Sequence, residues 1–138
     1  MSFENVVQSA IYSKLASDTA VTNAVTGIYD KVPQPNDSGL GSDFPYITIG
    51  EDIHNQIDTD TELMMQVSIT IHVWSRYGGR KETKEIQGLI YDSLHRAKLT
   101  QTGYKFVTIT LVDSQSFLDA DGETYHGVQT FNLMIEEL

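Results

Sequence analysis

The chain lacks cysteine altogether and has three prolines, one tryptophan and nine basic residues among its 138 positions. Without cysteine there is no disulfide framework and no thiolate chemistry, which fits a cytoplasmic setting. No apolar run approaches the roughly 20 residues that a bilayer crossing needs. The opening residues carry no basic region followed by an apolar core, so no signal peptide is expected. Nineteen acidic residues against nine basic ones leave a net charge of −10. Such a surface repels phosphate backbones and disfavours specific nucleic-acid binding. Acidity serves solubility first; a surface that DNA must pass without sticking is the second reading.

The common catalytic signatures are missing too. There is no Gly-x-Ser-x-Gly, no phosphate-binding loop and no dinucleotide fingerprint. Gly39-Leu-Gly41 precedes no helix that could offer free N–H groups to an anion. His54, His72, His95 and His126 are scattered, without the converging ligands of a zinc site. His72 and His126 read as ordinary sheet residues. Aligning Asp119-Ala-Asp-Gly-Glu123 to a calcium loop through Gly122 puts Phe117 and Val128 at ligand positions, so a tight turn is the better reading. No cofactor, metal or catalytic residue is expected.

What is present is pattern. Hydrophobic residues at 40% and charged residues at 20% are globular values, and 138 residues suit a single domain spanning 1–138. Val67, Ile69, Ile71 and Val73 alternate with Ser68, Thr70, His72 and Trp74, the period of a strand with one buried face. After a Gly78-Gly79 break, Ile86, Leu89, Ile90 and Leu94 form one stripe of a helix predicted from Arg80 to about Lys98. Upstream, Val6, Val7, Ala10, Ile11 and Leu15 mark a helix from Phe3 to about Ala16, with Ser2 as N-cap. Asp18 caps a shorter helix over Thr19 to about Val25.

Residues 28–32 could form a short strand, and residues 34–43 are turn formers suited to a surface loop. Strands are predicted over Phe44–Gly50, Tyr104–Leu118 and Glu123–Glu136, with a hairpin turn at Asp119–Gly122 and another turn at Thr100–Gly103. In the Tyr104–Leu118 strand, Val107, Ile109 and Leu111 fall on one face and Tyr104, Phe106 and Val112 on the other. The expected fold is α+β: a four-stranded, mainly antiparallel sheet with helices on one face, in the order α-α-(β)-β-β-α-β-β. Bulky groups on both faces of several strands leave the second face for a neighbouring subunit.

Residues 51–64 should form a protruding acidic arm or loop. Alternation would put Asp58, Asp60 and Glu62 on one side of it; a solvated charge run is the plain reading, and a partner-facing or DNA-facing surface the second. Six of the nine basic residues lie between Arg76 and Lys98, and Arg76, Arg80, Lys81 and Lys84 make a possible complementary surface. Separated patches of opposite sign suit head-to-tail association, closing as a ring or running on as a filament. The same cations could instead pair with Glu82 and Glu85 on their own helix.

Several fragments, in order along nearly the whole chain, resemble the tail completion or tail terminator proteins of long-tailed bacteriophages, prophages and gene transfer agents. They are Ala10-Ile11-Tyr12 with Leu15, Ile28-Tyr29-Asp30-Lys31-Val32-Pro33, and Phe44-Pro45-Tyr46-Ile47-Thr48-Ile49-Gly50-Glu51-Asp52. Next come His72-Val73-Trp74-Ser75-Arg76, Gly79-Arg80-Lys81-Glu82, Asp121-Gly122 and His126-Gly127-Val128. The resemblance implies a homo-oligomeric ring, a hexamer, at the head-proximal end of the tail tube. There it would stop tube polymerisation, meet the major tail tube protein and the head–neck connector proteins, and let DNA pass without specific binding. It also implies assembly in the bacterial host cytoplasm, residence in the virion, no membrane and no catalytic residues. A head-closure or neck connector is the alternative within that biology; a small-ligand-binding or enzymatic domain is the alternative outside it.

Overall fold

The computed structural model describes residues 3–30 and 44–138. The N-cap reading at Ser2 and the 34–43 loop lie outside the described residues, as do positions 31–32 of the short strand. Two helices come first, α1 (Phe3–Ser17) and α2 (Thr19–Ala24), and Asp18 Oδ1 caps the second by accepting from Ala20 N at 3.0 Å. Then follow β1 (Ile28–Tyr29), β2 (Tyr46–Gln56), β3 (Leu63–Ser75), α3 (Lys81–Leu94), β4 (Thr100–Gln101), β5 (Tyr104–Leu118) and β6 (Tyr125–Glu137).

Among the described residues the sheet has six strands rather than four, in the order β1-β2-β3-β6-β5-β4. Every pairing is antiparallel except that of β1 with β2. The expected turn at Thr100–Gly103 is itself a miniature hairpin: Gly103 takes a positive φ of 87°, and Thr100 and Gln101 pair with Lys105 and Tyr104. Such a φ is open to glycine at little cost.

Alternation in β3 does what its pattern demands. Val67, Ile69, Ile71 and Val73 are buried, and they share a core with Phe131, Leu133 and Ile135 of β6. The helices cover that face: Val7, Ile11 and Leu15 of α1 and Ile86, Ile90 and Leu94 of α3 join the same cluster. Gly127 makes the close approach of α3 possible. A β-carbon there would lie 2.5 Å from Gln87 Nε2 and 2.7 Å from Thr83 Cγ2.

α3 stops four residues short of Lys98. His95 is already extended, and Arg96 has a φ of 59°. From there Arg96 N donates to Ile109 O at 2.8 Å, and Leu111 N donates to His95 Nδ1 at 3.1 Å. Further along β5, Gln87 Nε2 donates to Gln115 O at 2.9 Å. The outer edge of β5 is thus tied at intervals by the helix and the segment that follows it.

Two bulges in β5, at Phe106/Thr108 and Leu111/Asp113, overturn the predicted division of its side chains. Tyr104, Phe106, Ile109 and Leu111 all pack toward the core, whereas Val107 and Val112 are exposed. Each extra residue flips the alternation beyond it, so a strict period of two misassigns the faces. Among the described residues, no helix is long and apolar enough to cross a membrane.

Candidate functional site

Among the described residues, no helix lies on the sheet's second face. Cross-strand pairing lines up one residue from each of four neighbouring strands there: Phe117 opposite His126, His126 opposite Trp74, and Trp74 opposite Tyr46. The rings touch. Trp74 and His126 stack with centroids 3.8 Å apart at 13°, Phe117 meets His126 edge-on at 5.0 Å, and Tyr46 lies 6.3 Å from Trp74. Tyr29 extends the row to β1, and Phe44 packs on Tyr46 beneath the Arg76 guanidinium, 4.4 Å from the ring centroid. Trp74 Nε1 donates to Thr48 Oγ1 at 3.0 Å, which satisfies the indole.

Beside this row runs a chain of titratable groups. His72 Nε2 lies 2.8 Å from Glu51 Oε1, and His72 Nδ1 lies 2.7 Å from His126 Nε2. The Glu51 side chain is 74% exposed while that of His72 is only 14% exposed, so a solvated carboxylate steadies a sheltered imidazole. The backbone N–H and His72 hold the Glu51 carboxyl below its usual range. Burial, followed by the charge of His72, pushes His126 below 6.5. Neither histidine announced this arrangement in the sequence. They stand 54 positions apart, and only the β3–β6 register brings them together.

Gly50 makes room for His72. A β-carbon there would sit 2.6 Å from the imidazole Cδ2 and 3.1 Å from Thr70 O. Gly50→Ala should therefore displace His72 from Glu51 and cost about 1–3 kcal/mol, the range for overpacking a filled site. Urea unfolding and the His72 imidazole resonances check this, the control being an alanine at Gly88, where nothing lies within 4 Å.

The acidic residues named from sequence lie at the far end of β3. Ile57 N donates to Met64 O and Thr59 N to Glu62 O, both at 3.0 Å, so the β2–β3 ladder continues to a tight turn at Asp60–Thr61. Asp58, Asp60 and Glu62 consequently do not share one side of an extended strand. Asp58 is tied down, its carboxylate accepting from Met64 N at 2.9 Å and from the Gln56 amide. Asp60 and Glu62 are exposed.

Arg76, Arg80, Lys81 and Lys84 gather at the opposite end, roughly 40 Å away by the rise of a 13-residue strand. Part of this charge is spent locally. Arg76 Nε donates to Thr124 Oγ1 at 3.2 Å and lies 4.0 Å from Asp121. Hydrogen bonds from the Thr124 hydroxyl and from the Thr124 and Glu123 amides hold Asp121 down to about 2. Lys81 reaches Glu85 at 3.9 Å, and Arg80 lies over the Tyr125 ring. Lys84 borders a groove of about 340 Å³ between α3 and β5. In that groove Gln87 and Gln129 spend their amide N–H groups on backbone carbonyls, so their role is to hold α3 against the sheet.

Among the described residues, fold and surface define an α+β protein with one sheet face free of helices and a polar hairpin tip. The chain belongs to the tail completion protein gp17 family, whose pattern it matches over residues 9–136; this puts it among the structural proteins of phage tails. It is 30% identical to tail completion protein gp17 of Bacillus phage SPP1 over 92 residues, 65% of this chain and 66% of that one. Its fold superposes on a chain from the virion of the native gene transfer agent particle with a TM-score of 0.85, at 20% identity, covering 98% and 99% of the two chains. The structure of bacteriophage SPP1 gp17 protein gives 0.61 at 24% identity over 94% and 88%.

Proposed function

We propose that the protein completes a phage-type tail as a homo-oligomeric ring, a hexamer, at the head-proximal end of the tail tube. There it ends tube polymerisation and joins the tail to the head–neck complex, while DNA passes through the bore without specific binding. Beyond family membership, the observation that supports this reading is the separation along β3. The acidic tip with Asp58, Asp60 and Glu62 and the end with Arg76, Arg80, Lys81 and Lys84 are too far apart to meet within one copy. Contacts between unlike surfaces repeat from copy to copy, and they close only as rings.

In this reading Asp60 and Glu62 face a partner or the bore, and Arg80 and Lys84 offer the complementary charge. The bare sheet face adds contact area, with Phe117 and Ile53 exposed upon it. The work is done by fitted surfaces rather than by catalysis. During assembly the chain resides in the host cytoplasm, and afterwards in the virion.

Mass measurement in solution, alone and with the cognate tail tube protein, tests the proposal. A closed oligomer that co-purifies with tube protein is the expected result. A strict monomer that ignores tube protein under both conditions overturns it. Capture by a neck protein but not by tube protein reassigns the chain to the connector.

A further inference from the structure

We propose that Glu51, His72 and His126 form a one-proton latch on the bare sheet face: the two imidazoles stay joined while they share one extra proton or none, and a second proton parts them. This concerns the single copy and does not rest on the ring.

The geometry sets the proton count. His72 Nε2 faces Glu51 at 2.8 Å, so this nitrogen carries hydrogen and donates to the carboxylate. That leaves His72 Nδ1 against His126 Nε2 at 2.7 Å, a contact with room for one hydrogen between two nitrogens. With both rings neutral, His126 Nε2–H donates to His72 Nδ1. With one proton added, the pair carries a single charge: one hydrogen points from His72 Nε2 to Glu51, one lies between the two rings, and His126 keeps its own on Nδ1. Both states preserve every contact in the chain. With a second proton both facing nitrogens bear hydrogen, no acceptor remains between them, and two like charges oppose each other.

The surroundings concentrate the effect on these groups. Toward His126 face His72 and Trp74 from β3, Phe117 from β5, Asp119 from the turn after β5 and, more distantly, Glu51 from β2. The carboxylates of Asp119 and Glu51 favour a charged His126, while burial and His72 oppose it, and the opposition prevails. Asp113 pairs with Thr130, further along the same face. Arg76 sits at the other end of the aromatic row, over Phe44. α3 packs on the opposite face of the sheet and contributes no charge here.

The sign follows. A base held below its unfolded value of 6.5 favours the neutral form in the fold, so stability is full above that pH and declines as pH falls below it. The bare face therefore has one arrangement while His126 is neutral and another once it is charged, which happens only below pH 6.5. The attraction of an imidazolium for the Trp74 indole eases the change without restoring the lost hydrogen bond.

Trp74 is the sole tryptophan and stacks on His126, so its emission reports the latch directly. In the full chain at fixed salt, the emission is expected to step with a midpoint below 6.5 while far-UV circular dichroism stays flat. His72→Gln removes the like-charged neighbour and should shift the midpoint upward, and His126→Gln should abolish the step. Emission that stays constant through mild acid, or a midpoint unmoved by His72→Gln, overturns the latch. Should a variant fail to fold, the imidazole ¹⁵N resonances of the unaltered chain decide: two separate protonation steps support the latch, and two identical, independent ones overturn it.

Discussion

Phe131→Ala is expected to lower folding stability by about 3–5 kcal/mol, the cost of emptying a large aromatic site in a closed core. Phe131 is fully buried on β6, opposite Ile69 of β3 and Leu111 of β5, at the centre of the sheet. Strands on both sides hold the backbone in register, so the site cannot collapse to refill the space. Helices α1 and α3 rest on the same cluster, and the loss should therefore appear as one cooperative shift in urea midpoint. Ile53→Ala offers the contrast. With Ile53 63% exposed on the bare face, the monomer should change by no more than about 0.5 kcal/mol. If Phe131→Ala proved as mild as Ile53→Ala, the core assigned to β3, β5 and β6 would be wrong.

Reversing charge at the hairpin tip should have the opposite signature, with folding intact and assembly impaired. Asp60→Lys combined with Glu62→Lys places two cations where the proposed ring offers cations in return. A difference of about 1.4 kcal/mol per contact is tenfold in association, and a ring repeats the contact at every interface. Infective particle yield should fall at least about tenfold, with an unchanged urea midpoint for the isolated chain. Particle yield equal to that of the unaltered protein would remove the tip from the proposed interface. Asp58 is kept out of this variant because its carboxylate ties Met64 and Gln56 together. A change there would loosen the turn as well as alter charge.

The readable parts of this fold were those where one residue's neighbours in sequence decide its fate. β3 shows its buried face as a plain alternation, and α3 shows its stripe at three- and four-residue steps. β5 misleads for a physical reason. Its two bulges are backbone irregularities at Phe106/Thr108 and Leu111/Asp113, set by pairing with β6 and invisible in side-chain periodicity. β4 was hidden because two residues are too few to carry a period. The His72–His126 pair was hidden for another reason. Each histidine reads from sequence as a sheet residue, but the rung on which two strands meet is a tertiary fact. The acidic tip was legible as composition, whereas its tight closure depends on Asp58 and Thr59 accepting from backbone N–H groups.

The ties along the outer strand bear on how copies can and cannot join. Ile109, Leu111 and Gln115 have already given one backbone group each to Arg96, His95 and Gln87, and β4 occupies the strand's beginning. An incoming segment seeking to extend the sheet there would find its docking rungs interrupted, so templated growth of the kind that leads to cross-β fibrils is blocked at that border. At that border, molecules crowded side by side are left to recognise one another by side chains, which can be specific, rather than by main chain, which is not.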